Sequence, residues 1–277
     1  MARRPLALGA LALLSAAVAL AVWLIALGIP RGRALDASAM LTFGGVAAPP
    51  LQPSIMGVAH LADPLPFVIG GIALVVVALL RRRWLMAALV PVILLGANVT
   101  TQLLKPALAD VRLIELYGVG TVYPGSWPSG HATASMSLAL CLVLVVGPRL
   151  RAPAALLGAG YAIAVGYALV ALGWHLPSDV LGGYLVAATF TLLGAAALAA
   201  LEARRPAHAP AGPSTVPLPA LAAGAGALLA LAGAVALIGA PGMTLNALEH
   251  PTALAAGAGI AALGLTLTAG LALVLRR

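Results

Sequence analysis

Charged side chains are scarce in this chain. They make up only 8% of its 277 residues, whereas 62% of the residues are hydrophobic. A soluble domain usually carries about 25% charged residues, so this composition excludes an ordinary soluble protein and predicts an integral membrane protein. Cysteine is nearly absent as well, because Cys141 is the single one. An internal disulfide is therefore excluded, and Cys141 is predicted to be a small packing residue inside an apolar run.

Acidic residues are also few, with 7 against 15 basic ones, and the formal net charge is +8. A charge of this sign is compatible with nucleic-acid binding. The basic residues, however, stand in short clusters between apolar runs. That placement is typical of membrane topology and forms no continuous basic face, so no nucleic-acid partner is predicted.

The apolar runs predict eight membrane-spanning helices, since roughly 20 residues cross a bilayer. Six of them form a core over residues 1–201, and residues 220–277 form a hairpin of two additional C-terminal helices. Residues 202–219 are rich in proline and alanine and predict a cytoplasmic linker. The predicted fold class is therefore all-α integral membrane. Six of the runs lie at about 5–29, 84–104, 130–146, 154–172, 220–240 and 253–275, while the second run ends at about 80 and the sixth at about 201.

Two further features of the sequence lead to predictions about exposure to solvent and about helix packing. Asp36, His60 and Asp63 lie in a polar, proline-rich connection over residues 30–65 and are expected to be solvated loop residues. In the seventh run, small residues repeat every four positions and would let helices approach closely. We favour packing within the protein for this face, with a homodimer as the alternative. The small residues are Gly226, Ala230 and Ala234.

The positions of the basic residues predict the orientation of the chain. With a cytoplasmic N-terminus and eight crossings, most basic residues fall on the cytoplasmic side, as the positive-inside rule requires. The protein is then a multi-pass cell-membrane protein with both termini in the cytoplasm. Lys105 and Arg112 fall on the extracytoplasmic side, where topology does not explain them. His131, at the end of the same loop, and His175 and Asp179, in the turn after the fifth run, are placed on that side with them.

The sequence Pro-Ser-Gly-His at residues 128–131 stands where a turn-rich run ends and an apolar helix begins. Unpaired backbone N–H groups at a helix N-terminus suit an anion such as phosphate. Ser129 would cap the helix or bind the anion, and Gly130 would let a ligand approach the backbone. His131 adds a group that donates a proton near neutral pH. An ordinary helix cap is the plainer interpretation of these four residues alone.

Two residue pairs accompany this stretch. Lys105 and Arg112 are seven positions apart, which places both on one face if the segment is helical, and two such cations suit the oxygens of a phosphate. His175 and Asp179 are four apart at a helix start, so the carboxylate would fix the tautomer and free the other ring nitrogen as a nucleophile. Ser178 is expected to cap that helix.

Together these residues predict phosphoryl transfer near a membrane surface. The cations and the helix N-terminus would hold a phosphoryl group, one histidine would attack it, and a second would protonate the departing oxygen. No cofactor is predicted. No metal is predicted either, because the two cations would repel a metal ion.

The three elements resemble the motifs of the type-2 phosphatidic acid phosphatase superfamily of membrane lipid phosphatases: Lys-x6-Arg-Pro, Pro-Ser-Gly-His and Ser-Arg-x5-His-x3-Asp. The second motif matches fully, and the resemblance covers about residues 1–201. In the first motif, Leu113 replaces the proline. In the third, Ala168 and Leu169 replace Ser-Arg, so this motif is degenerate.

The resemblance implies a six-helix lipid-phosphatase-like core and a lipid phosphate substrate of the phosphatidate or polyprenyl phosphate type. It implies that His175 is transiently phosphorylated and that His131 is the general acid. Two alternatives stay open: a phosphotransferase that uses the same histidine, and a non-catalytic binder or transporter of lipid phosphates, which Leu169 favours. The phosphate-binding residues would be Lys105, Arg112, Ser129 and the backbone near Gly130.

Overall fold

The computed structural model describes residues 3–44, 51–109, 122, 125–203 and 251–276 of the chain. Every regular element in these ranges is helical. A π-helical turn, Leu24–Gly28, extends the first helix, and a short 3-10 turn, Pro148–Leu150, precedes the seventh. The helices are α1 (Arg3–Trp23), α2 (Pro30–Gly44), α3 (Gln52–His60), α4 (Pro64–Leu80), α5 (Trp84–Ala107), α6 (Gly130–Val145), α7 (Arg151–Ala171), α8 (Pro177–Ala203) and α9 (Pro251–Val274).

Length and apolar composition make these helices suitable for a bilayer. In the described ranges, five are long and apolar enough to cross a membrane, and α3 with α4 makes a sixth if this pair, bent by 48°, counts as one span. The shorter α6, with 16 residues, is also apolar. The protein is therefore an all-α, multi-pass membrane protein, which confirms the predicted class.

The helix α6 lies at the centre of the bundle. From Ala132 to Val145 every residue except Leu142 is buried. It contacts α4, α5, α7, α8 and α9, while α1 packs along α8 and α9 packs against α2 and α7. Small residues allow the close approach: a Cβ added at Gly158 would lie 2.9 Å from the Cβ of Ala139. A helix enclosed in this way holds both of its ends in fixed positions.

The predicted boundaries of the described spans hold closely, with two shifts, but the connection at 30–65, where loop residues were expected, contains the helices α2 and α3. Lys105 was placed in a loop, but it lies in the last turn of α5, which continues to Ala107. The predicted linker at 202–219 begins inside α8, which continues to Ala203. The last span is α9, whereas the seventh span, its small-residue face and the homodimer it would support fall outside the described residues. The division into 1–201, 202–219 and 220–277 therefore stays a prediction.

Arginines gather at one end of the bundle. The guanidinium of Arg83, before α5, donates to the carbonyls of Leu144 and Val145 at the end of α6, at 2.8 and 3.2 Å. Arg151 likewise donates to the carbonyl of Leu275 after α9, at 2.7 Å. Cations stabilise the C-terminal ends of helices in this way. His131 lies at the opposite end of α6, so the arginines and the candidate site occupy different ends of the bundle.

Candidate active site

Three helix ends meet at the end of the bundle away from the arginines. The N–H of Ser129, just before α6, donates to the backbone carbonyl of Asp179 in the first turn of α8, at 2.9 Å. A Cβ added at Gly130 would lie 3.8 Å from Nζ of Lys105, in the last turn of α5. The ammonium group therefore lies beside the N-terminus of α6, and the predicted phosphate-binding residues Lys105, Ser129 and Gly130 lie together.

The start of α6 is rigid. Ser129 is fully buried and is the N-cap, because its Oγ accepts a hydrogen bond from the N–H of Ala132 at 3.3 Å. Its carbonyl accepts from Oγ1 of Thr133 at 2.8 Å, and that hydroxyl lies 3.0 Å from Oγ1 of Thr101 on α5. The Ser129 hydroxyl still carries a proton that it can donate. With the N–H groups of the first turn, it makes a suitable place for an oxyanion.

The turn between α7 and α8 sets the position of His175. Gly173 has φ +69°, a left-handed conformation that favours glycine and ends α7. After it, the N–H groups of Trp174 and His175 both donate to the carbonyl of Leu169, at 3.0 and 3.3 Å. These bonds fix the backbone of His175 where the helix ends meet, and the residue is only 9% exposed.

His175 and Asp179 form the pair that their spacing suggests. Nδ1 of His175 lies 3.3 Å from Oδ2 of Asp179, and the same oxygen accepts from the N–H of Leu176 at 3.1 Å. Asp179 is fully buried, so its carboxylate is fixed by these contacts. A carboxylate at Nδ1 holds the proton there and leaves Nε2 as the unprotonated nitrogen.

Two glycines let α8 approach the start of α6. A Cβ at Gly183 would lie 2.7 Å from the carbonyl oxygen of Ser129, and one at Gly182 would lie 2.6 Å from the ring of Trp127. Contacts this short exclude any larger side chain unless the backbone moves. These glycines therefore set the distance between the N-termini of α6 and α8. The distance between His131 and His175 depends on them as well.

His131 faces the same cluster. His131 lies close enough to His175 and Lys105 to interact with both electrostatically. Lys105 is also close enough to interact electrostatically with Asp179. Nε2 of His131 lies 3.0 Å from Oδ1 of Asp63, the residue before α4. The hydrogen bond from His131 is the largest cause that lowers the pKa of the Asp63 carboxyl below its ordinary value.

Two carboxylates were missed by the sequence reasoning. Asp63 and Asp36 were expected to be solvated loop residues, yet each contacts the candidate site. Asp36 lies on α2 and accepts from the N–H and the Oγ of Ser178, at 3.0 and 2.5 Å. The expectation that Ser178 caps α8 is therefore wrong, because its hydroxyl donates to Asp36. The Asp-Pro pair at 63–64 is a typical helix start, but no local pattern indicates its partner.

Two motif positions, 112 and 169, do not add to the cluster described above. Arg112 falls outside the described residues, so its pairing with Lys105 stays a prediction. Leu169, where the third motif has arginine, is fully buried and its side chain packs in the main hydrophobic core. In the described ranges, no cluster of three or more His, Cys, Asp or Glu residues suits a metal ion.

Comparison with known proteins found one matching family model and one similar solved structure. Residues 83–203 match the family model of the PAP2 superfamily, the type-2 phosphatidic acid phosphatases. The chain is also similar to the crystal structure of a transmembrane PAP2 type phosphatidylglycerolphosphate phosphatase from Bacillus subtilis, with a TM-score of 0.49 and 22% sequence identity. That likeness covers 73% of this chain and 98% of the other. No curated protein matches the chain.

The matched segment contains α5, α6, α7 and α8, and with them every residue of the three motifs. These helices belong to a membrane-embedded bundle with histidines and a lysine at one end. Residues 83–203 are therefore similar to the PAP2 superfamily. This similarity supports a phosphatase activity.

Proposed function

We propose that the protein is a membrane lipid phosphatase that hydrolyses a lipid phosphate or pyrophosphate at the extracytoplasmic face, through a phosphohistidine intermediate. The observation that carries the proposal is the single cluster in which the His175–Asp179 pair, His131 and Lys105 meet. Each member has a distinct task in phosphoryl transfer. The match of residues 83–203 to the PAP2 superfamily model also supports the proposal.

The first half-reaction transfers the phosphoryl group to the protein. Lys105, Arg112, the Ser129 hydroxyl and the N–H groups at the start of α6 hold the non-bridging oxygens. Nε2 of His175 attacks phosphorus, while Asp179 keeps the proton on Nδ1. The bond from phosphorus to the lipid oxygen breaks, and His131 gives its proton to that oxygen, so the lipid leaves as an alcohol.

The second half-reaction restores the protein. His131, now neutral, takes a proton from a water molecule as that water attacks the phosphohistidine. The phosphorus–nitrogen bond breaks, inorganic phosphate leaves, and His175 and His131 regain their starting states. Charge stabilisation by groups already in place is commonly the largest contribution to such reactions. No step requires a metal ion, so treatment with a chelator should leave turnover unchanged.

The substrate class follows from where the cluster lies. It sits at one end of a bundle of apolar helices, and a lipid headgroup lies at that depth when the acyl chains remain in the bilayer. Phosphatidate, phosphatidylglycerol phosphate and polyprenyl phosphates or diphosphates all present a terminal phosphate there. The basic residues at the other end of the bundle favour placing the site outside the cytoplasm.

The test is phosphate release by the purified full-length protein from a panel of these lipids. Wild type should release phosphate from at least one lipid, and His175→Ala should release none above background. Equal release by both proteins would rule out the proposed nucleophile. Absence of release from every lipid by wild type would contradict the proposed hydrolase activity.

A second candidate function is a non-catalytic binder of lipid phosphates. Leu169 favours it, because this position supplies a cation in the family motif and here carries a buried apolar side chain. A binder would retain lipid phosphate without turnover, and Leu169→Arg would then raise activity from nothing. Wild-type turnover that His175→Ala abolishes would exclude this candidate.

A further inference from the structure

The turn between α3 and α4, residues 61–63, projects a carboxylate toward the start of α6. The turn is anchored from α7, where the hydroxyl of Tyr161 donates to the carbonyl of Leu61 at 3.0 Å. Backbone bonds from Ala62 and Asp63 to the last turn of α3 hold it from the other side. The turn that carries Asp63 is therefore supported by α3 and α7, although the Asp63 side chain is partly exposed.

The carboxylate of Asp63 bridges two imidazoles. Oδ1 lies 3.0 Å from Nε2 of His131, and Oδ2 lies 2.8 Å from Nδ1 of His60. The indole of Trp174 packs against both rings, with centroid distances of 5.9 Å to His131 and 5.6 Å to His60. One ring nitrogen and one side of the His131 ring are thus fixed, which leaves the imidazole little freedom to turn.

This arrangement repeats the His175–Asp179 pair on the other side of the cluster. Within the described part of the chain, Asp63 is the hydrogen-bond partner of the His131 ring, and Nδ1 of His131 has none. Burial, and after it the neighbouring His175 and Lys105, lower the pKa of the His131 imidazole, whereas the hydrogen bond to Asp63 raises it. A protonated ring there therefore needs the carboxylate beside it. Asp63 is the carboxylate that contacts it, and its own pKa is lowered by that hydrogen bond.

We propose that Asp63 is a positioning residue that holds His131 as the proton donor to the departing lipid oxygen. The inference rests on the proposed function and adds a residue outside the three motifs and outside the matched segment. Nε2–H of His131 stays bonded to Asp63, Nδ1–H passes its proton to the lipid oxygen, and a neutral ring remains. His60 in turn orients Asp63 through the second carboxylate oxygen.

The first test compares two phosphate esters that differ in how much acid they need. A short-chain phosphatidic acid releases a basic alkoxide unless it is protonated, whereas 4-nitrophenyl phosphate releases a stable phenolate. General acid catalysis contributes about 10²–10⁴-fold to a rate. Asp63→Asn should therefore lower kcat/KM for phosphatidic acid by about tenfold or more and leave kcat/KM for 4-nitrophenyl phosphate within about threefold. The ratio kcat/KM is compared because it reports the first half-reaction, in which the leaving group departs, and not the hydrolysis of the phosphohistidine common to both esters.

A matched control loosens the same turn without touching the pair. Tyr161→Phe removes the bond to Leu61 and should affect both esters by the same factor. An equal loss on both esters in Asp63→Asn would show a merely structural role and overturn the proposal. A gain of activity would also overturn it, because Asp63 would then block His131.

The second test does not depend on turnover. Diethylpyrocarbonate modifies accessible, unprotonated imidazole nitrogens, and peptide mass spectrometry identifies the modified residue. His131 should be modified several-fold faster in Asp63→Asn than in wild type, since the amide can still accept from Nε2 but lacks the negative charge that favours the unreactive, protonated ring, while His175 should be unchanged. Equal rates at His131 in the two proteins would overturn the proposal.

Failure of this inference and failure of the proposed function give different results. If His175→Ala abolishes phosphate release but Asp63→Asn matches wild type on both esters, Asp63 has no part in the reaction and the phosphatase proposal stands. If His175→Ala retains release, the phosphatase mechanism fails. The modification rates then still decide whether Asp63 holds His131.

Discussion

Asp179 lies in the first turn of α8 and Asp36 binds that turn from α2, and the two carboxylates contact different groups. Asp179 accepts from Nδ1 of His175, and Asp36 accepts from the N–H and hydroxyl of Ser178. A carboxylate beside a helix N-terminus stabilises the helix in either case. Asp179, which faces the imidazole of His175, also determines which nitrogen of that ring carries the proton.

Asp179→Asn is expected to lower kcat by about 10²–10⁴-fold with little change in KM, because the imidazole loses the charge that supports its nucleophilic form. Asp36→Asn is the matched control, and it should lower the thermal unfolding temperature while kcat stays near that of wild type. Steady-state kinetics and thermal unfolding in detergent measure the two effects. Similar kcat values for both variants would contradict the division of roles.

At the residue scale, the sequence identified the residues with a local signature and missed those without one. The spacing of His175 and Asp179 is one helical turn, so their contact was predictable. Asp63 meets His131 across 68 residues of chain. Such a contact depends on how α4 packs beside α6, which no local pattern contains.

At the scale of elements, the site depends on how closely α8 approaches the start of α6. Gly183 stands against the carbonyl of Ser129 with no room for a Cβ. Gly259, on α9, has open space around it, because an added Cβ there would meet nothing within 4 Å. Substitution by alanine at Gly183 and at Gly259 therefore compares a position where the new Cβ collides with a neighbour with one where it does not.

Gly183→Ala should move the N-termini of α6 and α8 apart, with a cost of about 1–3 kcal/mol in stability and a large loss of kcat. Gly259→Ala should be neutral or stabilise by about 0.4–1 kcal/mol, since alanine favours a helix and has space there. Thermal unfolding and phosphate release measure both. Equal stability of the two variants would show that the close approach is not required.

The elements themselves were largely predictable, because apolar runs of membrane length leave the chain few choices besides helices. The helix at Lys105 was cut short in the prediction, since a lysine followed by a proline is typical of a helix end. In the structure Lys105 and Pro106 lie in the final turn of α5, where few backbone bonds remain to be lost. That extension brings the ammonium group to Gly130.

At the scale of the whole molecule, the arginines and the histidines mark opposite ends of the bundle. Arg83 and Arg151 cap helix C-termini at one end, and His131 and Asp63 meet at the other. The positive-inside rule predicts that the arginine end faces the cytoplasm. This orientation is still a prediction from charge counting on the sequence, whereas the packing of α9 against α2 and α7 is seen in the structure.

Cysteine labelling tests the orientation. Cys141 is fully buried, so the wild-type protein should not react with a membrane-impermeant maleimide and gives a silent background. Leu61→Cys, beside the candidate site, should be labelled in intact cells, and Arg149→Cys, at the arginine end, should react only after the membrane is permeabilised. The reverse pattern would place the site in the cytoplasm.

The central claim is that His175 carries the phosphoryl group during turnover. A lipid substrate labelled in its phosphate is mixed with the protein, quenched in alkali because phosphohistidine is labile in acid, and digested for peptide mass spectrometry. The label should appear on the peptide that contains His175, and it should be absent from His175→Ala. Turnover of the substrate with label on no histidine, or on His131 instead, would contradict the account.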